Sequence, residues 1–286
     1  MSASATAAAY ADAPEVARRF VAARRAASAL PGFPGDLPPN LAASYDCQEA
    51  AIRLWPDEVA GWKVGRIPDD DQKPLGAERL RGPVFHRAVW QAGDAPTVFP
   101  VFIGGFAAVE AEYVYRLGED APPGRTEWTP ADALTLAETL LIGVETAGSP
   151  LAAINILGPR AVVADFGNNA GLILGGEIPD WRIRANESLV CEAFVEGVSV
   201  GRGGAASLAG GPAASLAFVL GHCAAAGRPL RRGMLVTTGA ATGIHDIEAG
   251  QTARITFEGI GEIQCVARPA RADEGSGGDH GQRDTG

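Results

Sequence analysis

The sequence predicts an α+β protein with a large, mostly antiparallel β component behind two N-terminal helices. Apolar residues at helical spacing dominate the start of the chain, whereas short β-like runs separated by Gly, Pro and Asp follow. With 286 residues and 47% hydrophobic side chains, the chain can bury a substantial core. We expect a helical segment over residues 1–60 packed on one large domain over 61–268. Residues 269–286 contain no aliphatic residue larger than alanine, and we expect a disordered tail there.

Four helices are predicted, and proline or glycine marks most of their ends. The strongest signal lies at Thr129, where a capping residue, a proline and an acidic residue precede apolar positions as far as Leu141. The other helices are predicted over Pro14–Leu30, Leu41–Trp55 and Pro212–Ala226.

The predicted strands are short apolar runs between turn residues, with hairpin turns available at Glu196-Gly197 and at Glu258-Gly259 or Gly261. This pattern favours an antiparallel arrangement over a regular alternation of strands and helices. The predicted strands are Gly61–Arg66, Pro83–Trp90, Val98–Ile103, Ala108–Leu117, Gly143–Thr146, Arg160–Asp165, Leu172–Leu174, the hairpin Leu189–Gly201, Met234–Thr238 and Arg254–Arg268.

The charge balance argues against two classes of partner. Lys and Arg number 24 against 34 Asp and Glu, and the formal net charge of -10 repels phosphate backbones and anionic membranes. An anionic substrate would need a bound divalent cation to reverse the local sign. We therefore expect a small-molecule substrate, no nucleic acid and no membrane.

The cysteines and the hydropathy pattern indicate a cellular compartment. The four cysteines lie far apart without a C-x-x-C pair, and no apolar run approaches the ~20 residues that span a bilayer. The N-terminal stretch also lacks the continuous apolar segment of a secretory signal. We expect an untargeted protein in the reducing cytoplasm.

Three glutamates form a candidate metal site. Glu110 and Glu112 lie two positions apart in a predicted strand, so both side chains point to one face, roughly 7 Å apart at the backbone. Glu145 lies in a run of small residues typical of a short buried strand. Three carboxylates with water suit Mg²⁺ or Mn²⁺. The alternative is a solvated acidic face on one strand.

Further polar residues are candidates for ligand binding. Lys63 lies in an apolar, glycine-bounded strand, where its ammonium either meets a substrate carboxylate or extends to the surface. Asp165, Asn168 and Asn169 share a polar turn whose amides can bind a ligand, although turns use such residues without any function. Another strand ends at Thr238-Gly239, where backbone N–H groups can approach an anion.

In this order, these segments resemble the bacterial 2-keto-4-pentenoate hydratase family of the fumarylacetoacetate hydrolase superfamily. The match runs from about Val16 to Arg268. Besides the glutamates and the strand around Lys63, it includes the segments Ala43–Gln48, Gly211-Pro212, Arg232–Gly239 and Phe257–Gly261.

The resemblance implies a β-rich fumarylacetoacetate-hydrolase-like roll in a homo-oligomer, such as a dimer, pentamer or decamer. It also implies that Glu110, Glu112 and Glu145 bind the metal and that Lys63 faces the substrate. The chain departs from the family in two places. His86-Arg87 stands where an acidic residue is usual, and Asp165 to Asn169 replaces an Asp-Asn-Ala-Ser-Ser-like turn.

The function expected from the resemblance is a metal-dependent hydratase. It would add water to a 2-hydroxy-2,4-dienoate and yield a 4-hydroxy-2-oxo acid, as in aromatic meta-cleavage catabolism. Lys63, Asn168 and Asn169 would be catalytic, and Asp165, Thr238 and Gly239 would contact substrate. The alternatives are a 2-oxo-3-enedioate decarboxylase, an acylpyruvate C–C hydrolase with His86 as base, and a non-catalytic binding or partner subunit.

Overall fold

The computed structural model describes residues 9–273. Two helices precede the first strand, and the other four are short connections or pack against the sheets. Within the described residues the helices are α1 (Ala13–Arg25), α2 (Leu41–Leu54), α3 (Asp69–Leu75), α4 (Pro130–Leu136), α5 (Pro159–Ala164) and α6 (Gly211–Ala225).

Most of the chain after α2 is β-structure, in agreement with the predicted α+β class. The two longest strands are neighbours and carry the candidate metal ligands. The strands are β1 (Val59–Arg66), β2 (Arg79–Phe85), β3 (Val89–Gln91), β4 (Thr97–Val101), β5 (Phe106–Leu117), β6 (Ala137–Ser149), β7 (Asn169–Glu177), β8 (Val190–Val195), β9 (Val198–Gly204), β10 (Leu235–Thr237), β11 (His245–Asp246), β12 (Thr252–Phe257) and β13 (Gly261–Pro269).

The strands form two mixed sheets that are mostly antiparallel. The larger sheet has the order β2-β1-β10-β5-β6-β7-β3, with β11 added on β5, and the smaller has the order β4-β13-β12-β8-β9. The parallel pairs are β1 with β10, β3 with β7, and β4 with β13. Pairing of β1 with β10 brings the strand of Lys63 beside the strand that ends at Thr237.

The main core lies between the sheets. Trp62, Tyr113 and Phe257 are buried there, and the rings of Tyr113 and Phe257 meet edge to face. A second apolar cluster joins α1 to the segment that follows β6, through Phe20 and Leu151 among others. All four cysteines are buried free thiols.

Three predicted elements differ in the structure. The helix predicted from Thr129 ends at Leu136, and the apolar residues beyond it belong to the central strand β6. The strand predicted over Arg160–Asp165 is wrong: α5 forms there instead, with Pro159 in its first turn. The strand predicted over Pro83–Trp90 divides at His86 into β2 and β3, which pair with different neighbours.

The first residues of the predicted tail, 269–273, are bonded to the rest of the structure. Pro269 is the last residue of β13, the amide of Ala270 donates to Val101 O at 2.8 Å, and Arg25 pairs with Asp273 at 2.8 Å. Residues 274–286 lie outside the described part of the chain. Across residues 9–273, no helix combines the length and the apolar character that a bilayer crossing requires.

Candidate functional site

The three glutamates meet at the centre of the larger sheet. Glu110 and Glu145 face each other directly across the antiparallel β5–β6 pair, and Glu112 lies two residues along β5 on the same face. One oxygen from each carboxylate lies within 4.8 Å of the others. The period-two prediction for β5 therefore agrees with the geometry, and the solvated-face alternative does not, since all three side chains are buried.

This arrangement is electrostatically unfavourable without a further cation. Like charges directly opposite each other destabilise a sheet, and buried charges need partners. Among residues 9–273, Lys63 is the cation that contacts the cluster, with Nζ 3.2 Å from Glu145 Oε1. Three carboxylates and one ammonium leave two negative charges when all are ionised, and a divalent cation would balance them. The hard oxygen donors fit Mg²⁺, Mn²⁺ or Ca²⁺.

The pKa values follow from the same crowding. Burial, and then the charge of Glu145, raises the pKa of Glu110 to about 8. Burial followed by Glu145 and Glu110 raises the pKa of Glu112 well above its usual value. For Lys63, burial lowers the pKa, but the attraction of Glu145, Glu110 and Glu112 outweighs it and raises the pKa overall. The electrostatics of the cluster therefore favour positive charge beside the three carboxylates.

Glu112 is fixed in place by the end of β10. Its Oε2 accepts hydrogen bonds from the backbone N–H groups of Thr238 (2.9 Å) and Gly239 (2.7 Å). The hydroxyl of Thr237 lies 3.3 Å from Glu112 Oε1 and 3.5 Å from Glu145 Oε2. The anion that these backbone N–H groups approach is therefore Glu112 itself.

Glu145 is held by two residues that the sequence singled out. Asn169 Nδ2 donates to its Oε1 at 3.1 Å, and Lys63 Nζ lies near the same oxygen. Glu110 differs from both neighbours, because no donor within residues 9–273 bonds its carboxylate, which lines the adjoining pocket. Of the three candidate metal ligands, Glu110 is therefore the one whose carboxylate is least restrained by hydrogen bonds.

A pocket of about 430 Å³ opens beside this cluster. Lys63, Asn168, Thr238 and Gly239 line it together with Glu110. Asn168 is buried at positive φ (61°), and its Oδ1 has no hydrogen-bond donor in the described chain. A buried acceptor without a partner costs free energy, so a ligand or water is expected to supply the missing donor.

Two expectations about individual residues have no support from the contacts. Asp165, expected to contact substrate, does not line the pocket; its carboxylate binds Arg24 and Ser149 instead. His86, the base expected for a hydrolase, is exposed and also lies outside the pocket, and neighbouring Arg87 is exposed beside Asp57. The departure at His86-Arg87 thus lies away from the pocket.

Several residues of the site were not predicted. Thr237 lies between two of the glutamates, Asn155 Oδ1 accepts a hydrogen bond from Asn168 Nδ2 at 3.4 Å, and Arg66 and Arg79 line the pocket. Thr237 could have been identified, because it immediately precedes the predicted Thr238-Gly239 terminus. Arg66 ends the predicted strand of Lys63, but nothing in the local sequence distinguishes it, Arg79 or Asn155 as a site residue.

Comparison with known proteins shows what this architecture is. No protein-family model matches the sequence. 4-oxalocrotonate decarboxylase from Pseudomonas putida G7, solved with magnesium and adipate, superposes with a TM-score of 0.75 at 20% identity, covering 91% of this chain and 97% of that chain. The same enzyme solved with calcium and acetate gives 0.74 with equal coverage and identity. The chain has the fumarylacetoacetate-hydrolase-like fold.

A more distant member of this fold is also similar. Fumarylpyruvate hydrolase from Pseudomonas aeruginosa, solved with Mn²⁺ and pyruvate, gives a TM-score of 0.52 at 17% identity, covering 73% of this chain and 89% of that chain. These three structures each hold a divalent cation, and the glutamate triad gives this chain a site of the right chemistry for one. At such identities the likeness establishes the fold, and function depends on the site.

Proposed function

We propose that the protein is a divalent-metal-dependent hydratase that adds water to a 2-hydroxy-2,4-dienoate and releases a 4-hydroxy-2-oxo acid. One observation carries the proposal: three converging buried carboxylates and a buried lysine lie beside a pocket of about 430 Å³, which Glu110 and Lys63 line. That pocket volume suits a small organic acid. The resemblance of the sequence to 2-keto-4-pentenoate hydratases supports the reaction type.

Glu110, Glu112 and Glu145 would hold Mg²⁺ or Mn²⁺, which supplies Lewis-acid stabilisation of negative charge on the substrate oxygens. Lys63 reaches the pocket beside them, and its ammonium is positioned to neutralise the substrate carboxylate or to pass a proton. The hydrogen bond from Asn169 keeps Glu145 Oε1 oriented, so Asn169 acts on the metal ligand.

Asn168 is the residue best placed to orient water. The reaction first moves a proton to the far end of the diene, giving a 2-oxo-3-enoate. Water then adds its hydroxyl to the distal alkene carbon and its proton to the neighbouring carbon. Asn168 lines the pocket, and a rotation of its side chain would allow the amide oxygen, which no donor of the described chain bonds, to accept a hydrogen bond from that water.

The test is the ultraviolet absorbance of freshly made 2-hydroxypenta-2,4-dienoate mixed with purified protein. Parallel samples contain Mg²⁺, Mn²⁺ or a chelator, and the product is identified afterwards. We expect metal-dependent loss of the diene chromophore and formation of 4-hydroxy-2-oxopentanoate. Decay at the uncatalysed rate in every sample would reject the hydratase.

Decarboxylation of a 2-oxo-3-enedioate is the second candidate, favoured by the outer pocket. Arg66 and Arg79 both line it, and they are cross-strand partners on β1 and β2. A second substrate carboxylate would find a guanidinium there. The acylpyruvate hydrolase is less favoured, because His86, the base expected for it, lies outside the pocket.

Failure of the protein to bind Mg²⁺ in calorimetry would favour the non-catalytic alternative.

Replacing Arg79 separates the two candidates. The Arg79→Met variant should lower kcat/KM for a 2-oxo-3-enedioate by roughly 10-fold or more if that carboxylate is bound there. Activity on the monocarboxylate dienoate should change little. Arg87→Met is the matched control, because Arg87 is exposed and outside the pocket. Equal loss on both substrates would show that Arg79 serves the fold, through its bond to Ala209 O.

A further inference from the structure

Arg24 is a buried cation that the proposed mechanism does not use. It lies in the last turn of α1, whose other arginines, Arg18, Arg19 and Arg25, are largely exposed. Its own side chain is buried in the interior and stacks on the ring of Phe166, with the guanidinium carbon 5.1 Å from the ring centroid. A buried guanidinium needs several partners to offset the loss of water.

Those partners are concentrated on one turn. Nε bonds Asp165 Oδ1 at 2.6 Å, Nη2 donates to the carbonyl of Asp165 at 3.4 Å, and Nη1 donates to the carbonyl of Asn169 at 3.1 Å. Nη2 also bonds Gly148 O on β6 at 2.9 Å. Arg24 therefore bonds both ends of the turn between Asp165 and Asn169. Its bond to Gly148 also connects this turn to β6, the strand that carries Glu145.

The backbone between these two ends is strained. Phe166, Gly167 and Asn168 have φ values of 54°, 68° and 61°, a run of three left-handed residues of which two are not glycine. Such conformations persist only where the surroundings fix them. The second oxygen of Asp165 accepts from Ser149 Oγ at 2.5 Å, so that carboxylate also serves the turn and is closed off from the pocket.

The turn presents the two asparagines of the site. Asn168 lines the pocket, and Asn169 Nδ2 donates to Glu145 Oε1. We propose that Arg24 is a positioning residue of the active site, which clamps this turn so that Asn168 and Asn169 reach the substrate and the metal ligand. The expected effect on turnover rests on the proposed function. The clamp itself is independent of which reaction the site performs.

A guanidinium suits this task better than an ammonium. It presents donors in a fixed plane and so reaches a carboxylate and three carbonyl oxygens at once, whereas lysine offers a point charge on a flexible stem. The Arg24→Lys variant should therefore fold, but it should no longer hold the turn between Asp165 and Asn169 in place. This difference separates a geometric role from a need for positive charge alone.

The experiment compares Arg24→Ala and Arg24→Lys with Arg19→Ala, an exposed control on the same helix. In both Arg24 variants we expect the Mn²⁺ affinity, measured by calorimetry, and kcat to fall by about 10- to 100-fold, as for other residues that orient metal ligands. Both quantities should stay near the wild-type values in Arg19→Ala. KM should change much less than kcat. Hydrogen exchange in the peptide that covers Asp165 to Gly171 should quicken, and guanidinium ion added to Arg24→Ala should restore slow exchange and turnover.

A folded Arg24→Ala protein with unchanged exchange in this peptide, unchanged Mn²⁺ affinity and unchanged kcat would overturn the inference. If Arg24→Ala does not fold, Ser149→Ala removes the other support of Asp165. It should shift the same measurements in the same direction, and no shift would count equally against the clamp. If the wild-type protein turns over no dienoate, the proposed function fails, while exchange and guanidinium rescue still decide the role of Arg24.

Discussion

At the scale of single residues, the site is defined by acids that repel one another. Glu110 and Glu145 are cross-strand partners, so the β5–β6 ladder holds their Cα atoms opposite each other. Of the three candidate ligands, Glu112 and Glu145 are anchored by hydrogen-bond donors, whereas Glu110 borders the pocket. Glu110 is therefore the position where a neutral isostere should report most directly on metal binding.

The Glu110→Gln variant should bind Mn²⁺ at least about 10-fold more weakly than the wild type, because it removes one anionic ligand. Calorimetry on chelator-stripped protein measures this. Glu138→Gln is the control, since Glu138 is an exposed acid on β6. Unchanged affinity and turnover in Glu110→Gln would refute the metal assignment.

The metal-free protein should lose stability as the pH rises through about 8. Glu110 has a pKa of about 8 in the fold against 4.5 as a free side chain. A carboxyl whose pKa is raised by folding takes up a proton on folding, so its contribution is complete below 4.5 and disappears above 8.

Urea unfolding in chelator from pH 5 to 9 tests this trend. The loss should be on the order of 1–3 kcal/mol, and Glu110→Gln should flatten it. A wild-type profile that rises over this range would contradict the direction. Adding Mn²⁺ should also suppress the decline, because the metal then replaces the proton.

Whether the role of a residue can be predicted from the sequence depends on how far its partners lie along the chain. Glu110 and Glu112 were predictable because a strand repeats every two residues. Arg24 was not, because its partners lie 124 to 145 positions away and an arginine late in an amphipathic helix is ordinary. The orientation of Asp165 toward Arg24 was hidden for the same reason.

At the scale of elements, the sequence located the apolar segments correctly but did not always show whether a segment forms a helix or a strand. The capping signal at Thr129 was correct, but a helix was expected to continue to Leu141, where β6 already runs in the centre of the sheet. A short apolar segment fits either structure until its neighbours are known. In α5, adjacent valines favoured a strand, whereas Gly158-Pro159 starts a helix.

The pairing of β1 with β10 depends on Gly61. A Cβ at this position would collide with the backbone carbonyl of Leu235, which cannot move without breaking the sheet. Gly61→Ala should lower the free energy of unfolding by about 1–3 kcal/mol, as other overpacked sites do.

Chemical denaturation checks the effect of this change. Gly93→Ala, at an exposed glycine with open space around its Cβ position, is the matched control and should be nearly neutral. Because β1 carries Lys63 and β10 leads to Thr238, Gly61→Ala should also weaken Mn²⁺ binding. If Gly61→Ala and Gly93→Ala had equal free energies of unfolding, β10 would be able to move away from a Cβ at position 61 without loss of stability.

At the scale of the whole molecule, several large aliphatic side chains are exposed on the surface of the single chain. Ile156 and Ile183 are 88% and 86% exposed, and Val98, Ile103 and Val198 are also largely exposed. Large aliphatic residues on a monomer surface are often interface residues when they lie together. We expect a homo-oligomer, and sedimentation velocity at several concentrations measures it. A single monomeric species at micromolar concentration would be inconsistent with this expectation.

The α+β class was predictable because composition and periodicity apply to the whole chain, whereas the roll was expected only from the resemblance to a known family. The topology that assembles the site was not predictable from local pattern. Lys63, Glu110, Glu145 and Thr238 belong to β1, β5, β6 and the end of β10, which become neighbours only in the finished sheet. The resemblance to a known family supplied that grouping, and the structure supports it by proximity.

The position of Arg24 has a consequence for biosynthesis. Its partners on β6 and in the turn that ends at Asn169 are translated more than a hundred residues after α1. The guanidinium of Arg24 therefore cannot reach these partners until more than a hundred residues after α1 have been synthesised. A chain stalled before Asp165 could already pack α1 against α2, but it would leave the Arg24 side chain without its carboxylate and carbonyl partners.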